Sequence, residues 1–135
     1  MKLWDLTVFN FLIGNTDNHL KNLSLLYDAS LSSVRLAPAY DVISTTVYSG
    51  STRDLSMRIG DAVTVDDVSE ISFRMAAHEV GIGEKLAIKR FSAMAQQFES
   101  ALASTVEELT EKGFTNAAQL REQILLTGGY RHIKK

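Results

Sequence analysis

Residues 3–13, LWDLTVFNFLI, put apolar side chains on nearly every side of a short helix. Leu3, Leu6, Phe9 and Ile13 fall at helical spacing, while Trp4, Val8, Phe11 and Leu12 fill the other faces, with Asp5 and Asn10 inside the apolar stretch. Such a helix is stable only when other structure surrounds it. Whatever is left uncovered is exposed apolar surface, which marks an interface. The expectation is a homo-oligomer or a partner chain that covers this helix. Gly14 and Asn15 stop it, because both tolerate the left-handed conformation.

The next elements are short. LSLLYD (23–28) and VRLAPAYD (34–41), around a Ser-rich loop, predict a β-hairpin that Pro38 ends. Residues 44–53, STTVYSGSTR, predict a flexible hydroxyl-rich loop, or a turn of helix over 45–48. DLSMRI (54–59) alternates with the strand period of two, and Gly60-Asp61 closes it in a turn. From residue 64 the pattern becomes helical. Thr64 or Asp66 caps a helix to about Val80, with Val68, Ile71, Met75 and Ala76 on one face. A long helix over 83–112 carries Leu86, Phe91, Met94, Phe98, Leu102, Val106 and Leu109. Asn116 opens a third, to about Leu126, with Leu120 and Ile124 inside, and YRHIKK reads as a frayed tail.

The 135 residues therefore predict a single domain over 1–135, mainly α with small β-hairpins. Residues 1–60 form a helix, a polar loop and strands. Residues 61–135 form a helical subdomain, an antiparallel bundle. Composition excludes several functions. No cysteine means no disulfide framework and no thiolate metal site. No apolar run reaches the ~20 residues a bilayer span needs, and the N-terminus lacks a secretion signal, so the expected address is the cytoplasm. A net charge of -2 argues against a surface built to hold nucleic acid.

The densest polar cluster, Asn15, Asp17, Asn18, His19, Lys21 and Asn22, lies between the apolar helix and the first strand. Calcium does not fit, because Leu26 stands where the loop needs a bidentate Glu. Zinc does not fit either, since the three histidines (His19, His78, His132) form no local motif. Phosphoryl transfer fits better. It needs an Asp facing the attacking hydroxyl and oxygen ligands for magnesium on the phosphates. Asp17 and Asn22 are five apart, the offset of Asp and Asn in a kinase catalytic loop. Asp41 follows beyond the hairpin, 19 residues after Asn22, where a second metal carboxylate belongs. Val42-Ile43 stands where the kinase pattern has Phe-Gly.

FNFLIGNTDNHLKNLSLLYD, followed by VRLAPAYDVISTTVY, closely resembles the C-terminal part of the HipA-like serine/threonine kinases, toxins of bacterial toxin–antitoxin modules. LSMRIGD and the helix after it resemble the same family. The resemblance implies a protein-kinase-like C-lobe that works with ATP and Mg2+ on a protein substrate. It implies Asp17 as the catalytic Asp, with Asn22 and Asp41 as magnesium ligands. His19 then either contacts phosphate or supports the loop, and Lys21 either neutralises phosphate or is a solvated loop lysine. No G-x-G-x-x-G is present, and the family's nucleotide-covering lobe precedes the matched part. The expectation is thus a C-lobe fragment that is inactive alone, its nucleotide lobe either supplied by a second polypeptide or lost by truncation. The alternative is an inert module that docks an antitoxin or oligomerises.

Overall fold

The computed structural model describes residues 1–133. Its first element, α1 (Lys2–Ile13), is the expected apolar helix. Gly14 ends it at φ 74°, and the Asn15 amide reaches back to Asn10 O at 2.8 Å, the closure that a left-handed residue permits. A Cβ on Gly14 would meet Thr46 Oγ1 at 2.1 Å, so glycine is needed there for space as well as for backbone.

Two antiparallel hairpins follow. Strand β1 (Leu25–Tyr27) pairs with β2 (Val34–Leu36), Leu26 opposite Arg35. Strand β3 (Asp54–Ile59) pairs with β4 (Ala62–Thr64) across the Gly60-Asp61 turn. The second hairpin corrects the expected helix start. Residues 62–64 are spent on β4, Thr64 donates to Asp67, and Asp66 is held by Arg53. Helix α2 therefore begins later, at Glu70, with a Ser69–Ser72 capping box, and ends at Glu79. Its buried face is also different. Phe73 and Ala77 point inward, whereas Ile71 and Met75 are exposed.

Helix α3 (Glu84–Glu111) packs against α1, α2 and α4 (Ala117–Thr127). Ala87, Phe91, Ala95 and Phe98 form its buried stripe, at spacings of three and four. Phe73 stacks at 4.5 Å from Phe91 and edge-on to Trp4 and Phe11. Trp4 also donates Nε1–H to Ala87 O at 3.1 Å, so its one polar atom is satisfied inside the core. Each fully buried aromatic of this kind stabilises the fold by about 1.5–3 kcal/mol. The chain thus wraps most of its own first helix. Trp4, Val8, Phe11, Leu12 and Ile13 are buried, and only Leu3 and Phe9 remain substantially open.

The C-terminus differs from a frayed tail as far as it is described. Gly129–His132 forms a 3-10 turn, and Tyr130 is buried with its ring 5.0 Å from that of Phe98. Cβ atoms at Gly128 and Gly129 would collide with α1, at 2.6 Å from Leu12 O and 2.3 Å from the Phe11 ring. These glycines let the chain pass this close. Lys134 and Lys135 lie outside the described residues. No helix among those described is long and apolar enough to cross a membrane.

Candidate active site

The polar loop is built outward from a buried amide pair. Asn10, on α1, is 2% exposed, and its Oδ1 accepts from Asn15 Nδ2 at 2.8 Å. A buried amide requires such a partner. Asn15 Oδ1 accepts the Asp17 N–H at 3.2 Å, and Asn15 Nδ2 also reaches Asp41 O at 3.4 Å. Asp17 O in turn accepts from the His19 amide at 2.9 Å and from Asn22 Nδ2 at 3.1 Å. A 3-10 turn over Leu20–Asn22 closes the loop before β1.

Asp17 is therefore fixed through its backbone, while its side chain is 65% exposed. His19 Nε2 lies 3.8 Å from Asp17 Oδ1, and His19 Nδ1 is buried without a hydrogen-bond partner among the described residues. The Asn22 amide nitrogen is used inside the loop, which leaves Oδ1 as its free acceptor. Lys21 is exposed, and its carbonyl accepts from Tyr40 Oη at 2.9 Å. Tyr40 also bonds Ser24 Oγ at 2.8 Å. Its phenol thus ties the segment carrying Asp41 to the loop carrying Asn22.

Asp41 adopts φ 55°, the left-handed region, which Asp enters more readily than most residues. Its carboxylate accepts no hydrogen bond among the described residues and is exposed. Such backbone conformations persist only where neighbours over-determine them, and they cluster at functional sites. The residues after Asp41 supply that support. Ser44 Oγ donates to Ile13 O at 2.5 Å, and Thr45 Oγ1 donates to Gly14 O at 3.0 Å and accepts the Thr16 N–H at 2.8 Å. Residues 45–47 form a 3-10 turn, and Thr46 is buried, so this part of the hydroxyl-rich segment is anchored.

Asp17, Asn22 and Asp41 are brought into one hydrogen-bonded unit, with two carboxylates and one amide oxygen that accept no hydrogen bond among the described residues. Hard oxygens of this kind suit magnesium. Among the described residues no three His, Cys, Asp or Glu side chains form a metal cluster. Beneath the loop, a groove of about 420 Å³ runs between α1, β3 and the end of α2, past Asn18, Leu20 and Leu55. The sequence did not reveal the supports. Asn10 was the one available signal, as an amide inside an apolar helix. Thr16, Ser44 and Thr45 offered none, because their bonds join positions 29–31 apart.

Behind the site, Asp66 gathers three cationic or titratable groups. Arg53 donates to it twice, at 2.5 and 2.6 Å, Arg131 Nη2 at 2.6 Å, and His132 Nε2 lies at 2.9 Å. The Arg53 hydrogen bonds above all, with those of Arg131 and His132 adding and partial burial opposing, hold the Asp66 carboxyl well below the usual carboxylate range. Arg53 also donates to Thr127 O at 3.0 Å, so the cluster joins the start of β3 to the end of α4.

The matches to known proteins agree with this architecture. Residues 1–102 match the family described as the HipA-like C-terminal domain. The chain is 33% identical over 111 residues to the Sinorhizobium fredii protein named "Putative kinase Y4mE", covering 82% of this chain and 26% of that one. It is 32% identical over 101 residues to the serine/threonine-protein kinase toxin HipA of Shewanella oneidensis, covering 73% and 22%. The solved Shewanella oneidensis HipA, in complex with HipB and operator DNA, matches with a TM-score of 0.77 at 25% identity, over 92% of this chain and 29% of that one. The chain spans about a quarter of the length of the curated relatives it matches. By sequence and by fold, it belongs to the HipA-like C-terminal domain family.

Proposed function

We propose that the chain carries the chemical half of a serine/threonine protein kinase site and works with a nucleotide-covering lobe that lies outside these 135 residues. The observation that carries this reading is the contrast within the site. The backbone around Asp17, Asn22 and Asp41 is tied down, while their outward oxygens accept no hydrogen bond among the described residues. Fixed groups with free ligand atoms are what phosphoryl transfer asks of a protein.

In this reading Asn22 Oδ1 and the Asp41 carboxylate hold Mg2+. When bound, the metal neutralises charge on the ATP phosphates. Asp17 accepts a hydrogen bond from the substrate hydroxyl, aligns its oxygen, and takes its proton as that oxygen bonds the γ-phosphorus and the bond from phosphorus to the departing ADP oxygen breaks. His19, 3.8 Å from Asp17 Oδ1, supports that carboxylate, and Lys21 meets phosphate from the loop's exposed side. The strands of the β1–β2 hairpin also favour a covering lobe. Leu25, Tyr27 and Val34 are each more than half exposed on an element that has little stability alone. The same open hairpin favours a second reading, an inert module that docks an antitoxin or another copy.

Isothermal calorimetry separates the two. The kinase reading expects ATP to bind only with Mg2+, and expects Asp41→Gly to abolish that binding. Glycine is the right substitution because alanine at φ 55° adds strain. Heat of binding that is equal with and without Mg2+, or unchanged in Asp41→Gly, overturns the kinase reading. No binding at all favours the inert module.

A further inference from the structure

The two halves of the site lie on separate segments, Asp17 on the loop after α1 and Asp41 beyond the β1–β2 hairpin. One side chain of the second segment reaches the residue directly before Asp17. Thr45 Oγ1 lies 2.8 Å from Thr16 N, 3.0 Å from Gly14 O and 2.7 Å from Thr16 Oγ1. Thr16 Oγ1 continues to Thr52 O at 3.1 Å, and the Thr16 carbonyl accepts from Ser56 N at 2.9 Å on β3. Thr16 is 3% exposed, so its amide has no water to replace Thr45. Other bonds also cross the gap, from Ser44 Oγ to Ile13 O, Thr46 N to Gly14 O, Tyr40 Oη to Lys21 O and, at 3.4 Å, Asn15 Nδ2 to Asp41 O, but among the described residues Thr45 is the one that holds the amide directly before Asp17.

We propose that Thr45 is a positioning residue, a pin whose hydroxyl sets the Asp17 loop in register with the Asp41 segment. The inference rests on the kinase reading for its purpose, but the pin itself is defined by hydrogen bonds. Thr45 touches no reacting atom in this scheme. It acts through Thr16, which directly precedes Asp17, and through its own place four residues after Asp41. A threonine is suited to this, because one hydroxyl both donates and accepts.

Two substitutions in the 135-residue chain separate hydroxyl from shape. Thr45→Val keeps the shape and removes the hydroxyl, whereas Thr45→Ser keeps the hydroxyl and removes a methyl. Amide hydrogen exchange and the affinity for Mn2+ with ATP, read by electron paramagnetic resonance, are measured on wild type and both variants. The pin predicts that Thr45→Val speeds exchange at Thr16 and Asp17 by about fivefold or more and weakens Mn2+–ATP binding by about fivefold. Thr45→Ser then stays near wild type in both, and α3 amides do not change in either. A packing role would show the reverse, with Thr45→Ser the more damaged. Wild-type exchange at Thr16 and Asp17 in Thr45→Val overturns the pin even if wild type binds Mn2+–ATP. If wild type binds no Mn2+–ATP, the kinase reading fails, and the exchange pattern alone decides the pin.

Discussion

Single residues in this site divide into those that hold and those that are held. Asp17 and Asp41 are held, with exposed carboxylates that accept no hydrogen bonds from the described residues. Gly14 holds. It needs φ 74°, and any Cβ there meets Thr46 Oγ1 and Gly128 Cα. Gly14→Ala should cost about 2–4 kcal/mol, from left-handed strain plus overpacking. Urea unfolding checks this, and a loss below ~1 kcal/mol would mean the turn relaxes freely. The held residues were legible in the sequence because their spacing, five and then nineteen, is local information. The holding residues were not. Thr45 meets Gly14 and Thr16 across 31 and 29 positions, and no pattern in one sequence marks such a pair.

Among the elements, α1, α3, α4 and strand β3 followed from periodicity and from glycine stops. The start of α2 did not, because Thr64 and Asp66 are plausible caps by type but have other partners in space. Nor did the C-terminal turn, since YRH reads as a solvated basic tail until Asp66 is placed beside it. That cluster predicts an acid limb in stability. The Asp66 carboxyl has a folded pKa depressed below 3.8, so it binds its proton less readily folded than unfolded. Its contribution is fully present above about pH 4 and is lost as pH falls below that. Asp66→Asn should lower Tm at pH 7 by about 3–8 °C. It should also narrow the gap to wild type as pH drops from 4 toward 2. Thermal melts across pH read both, and a constant gap down to pH 2 would deny Asp66 this role. Of the two expectations for 44–53, the turn of helix is what forms, over 45–47, and bonds from Ser44, Thr45 and Thr46 to α1 and α4 anchor it.

The whole molecule exposes 8574 Å². A monomeric protein of 14.9 kDa exposes only about 7,000 Å². The excess, about 1,600 Å², is larger than the ~800 Å² that one partner contributes to an ordinary interface. It includes the β1–β2 hairpin, where Leu25, Leu26, Tyr27 and Val34 are all open. The sequence placed the uncovered apolar surface on α1. The structure covers most of α1 with α2, α3 and the C-terminal turn, and leaves the hairpin bare instead. The chain's share of its relatives' length, about a quarter, accords with a working state that includes more polypeptide. The proposed role of Asp17 is to take the substrate hydroxyl's proton in phosphoryl transfer once a nucleotide lobe is supplied. It is tested by transfer of radiolabelled γ-phosphate from ATP in three proteins: this chain alone, a graft in which it replaces the matching region of Shewanella oneidensis HipA, and that graft with Asp17→Asn. Transfer is expected from the graft, and none from the chain alone or from the Asp17→Asn graft. Equal transfer by the two grafts, or a folded but silent graft, would contradict it.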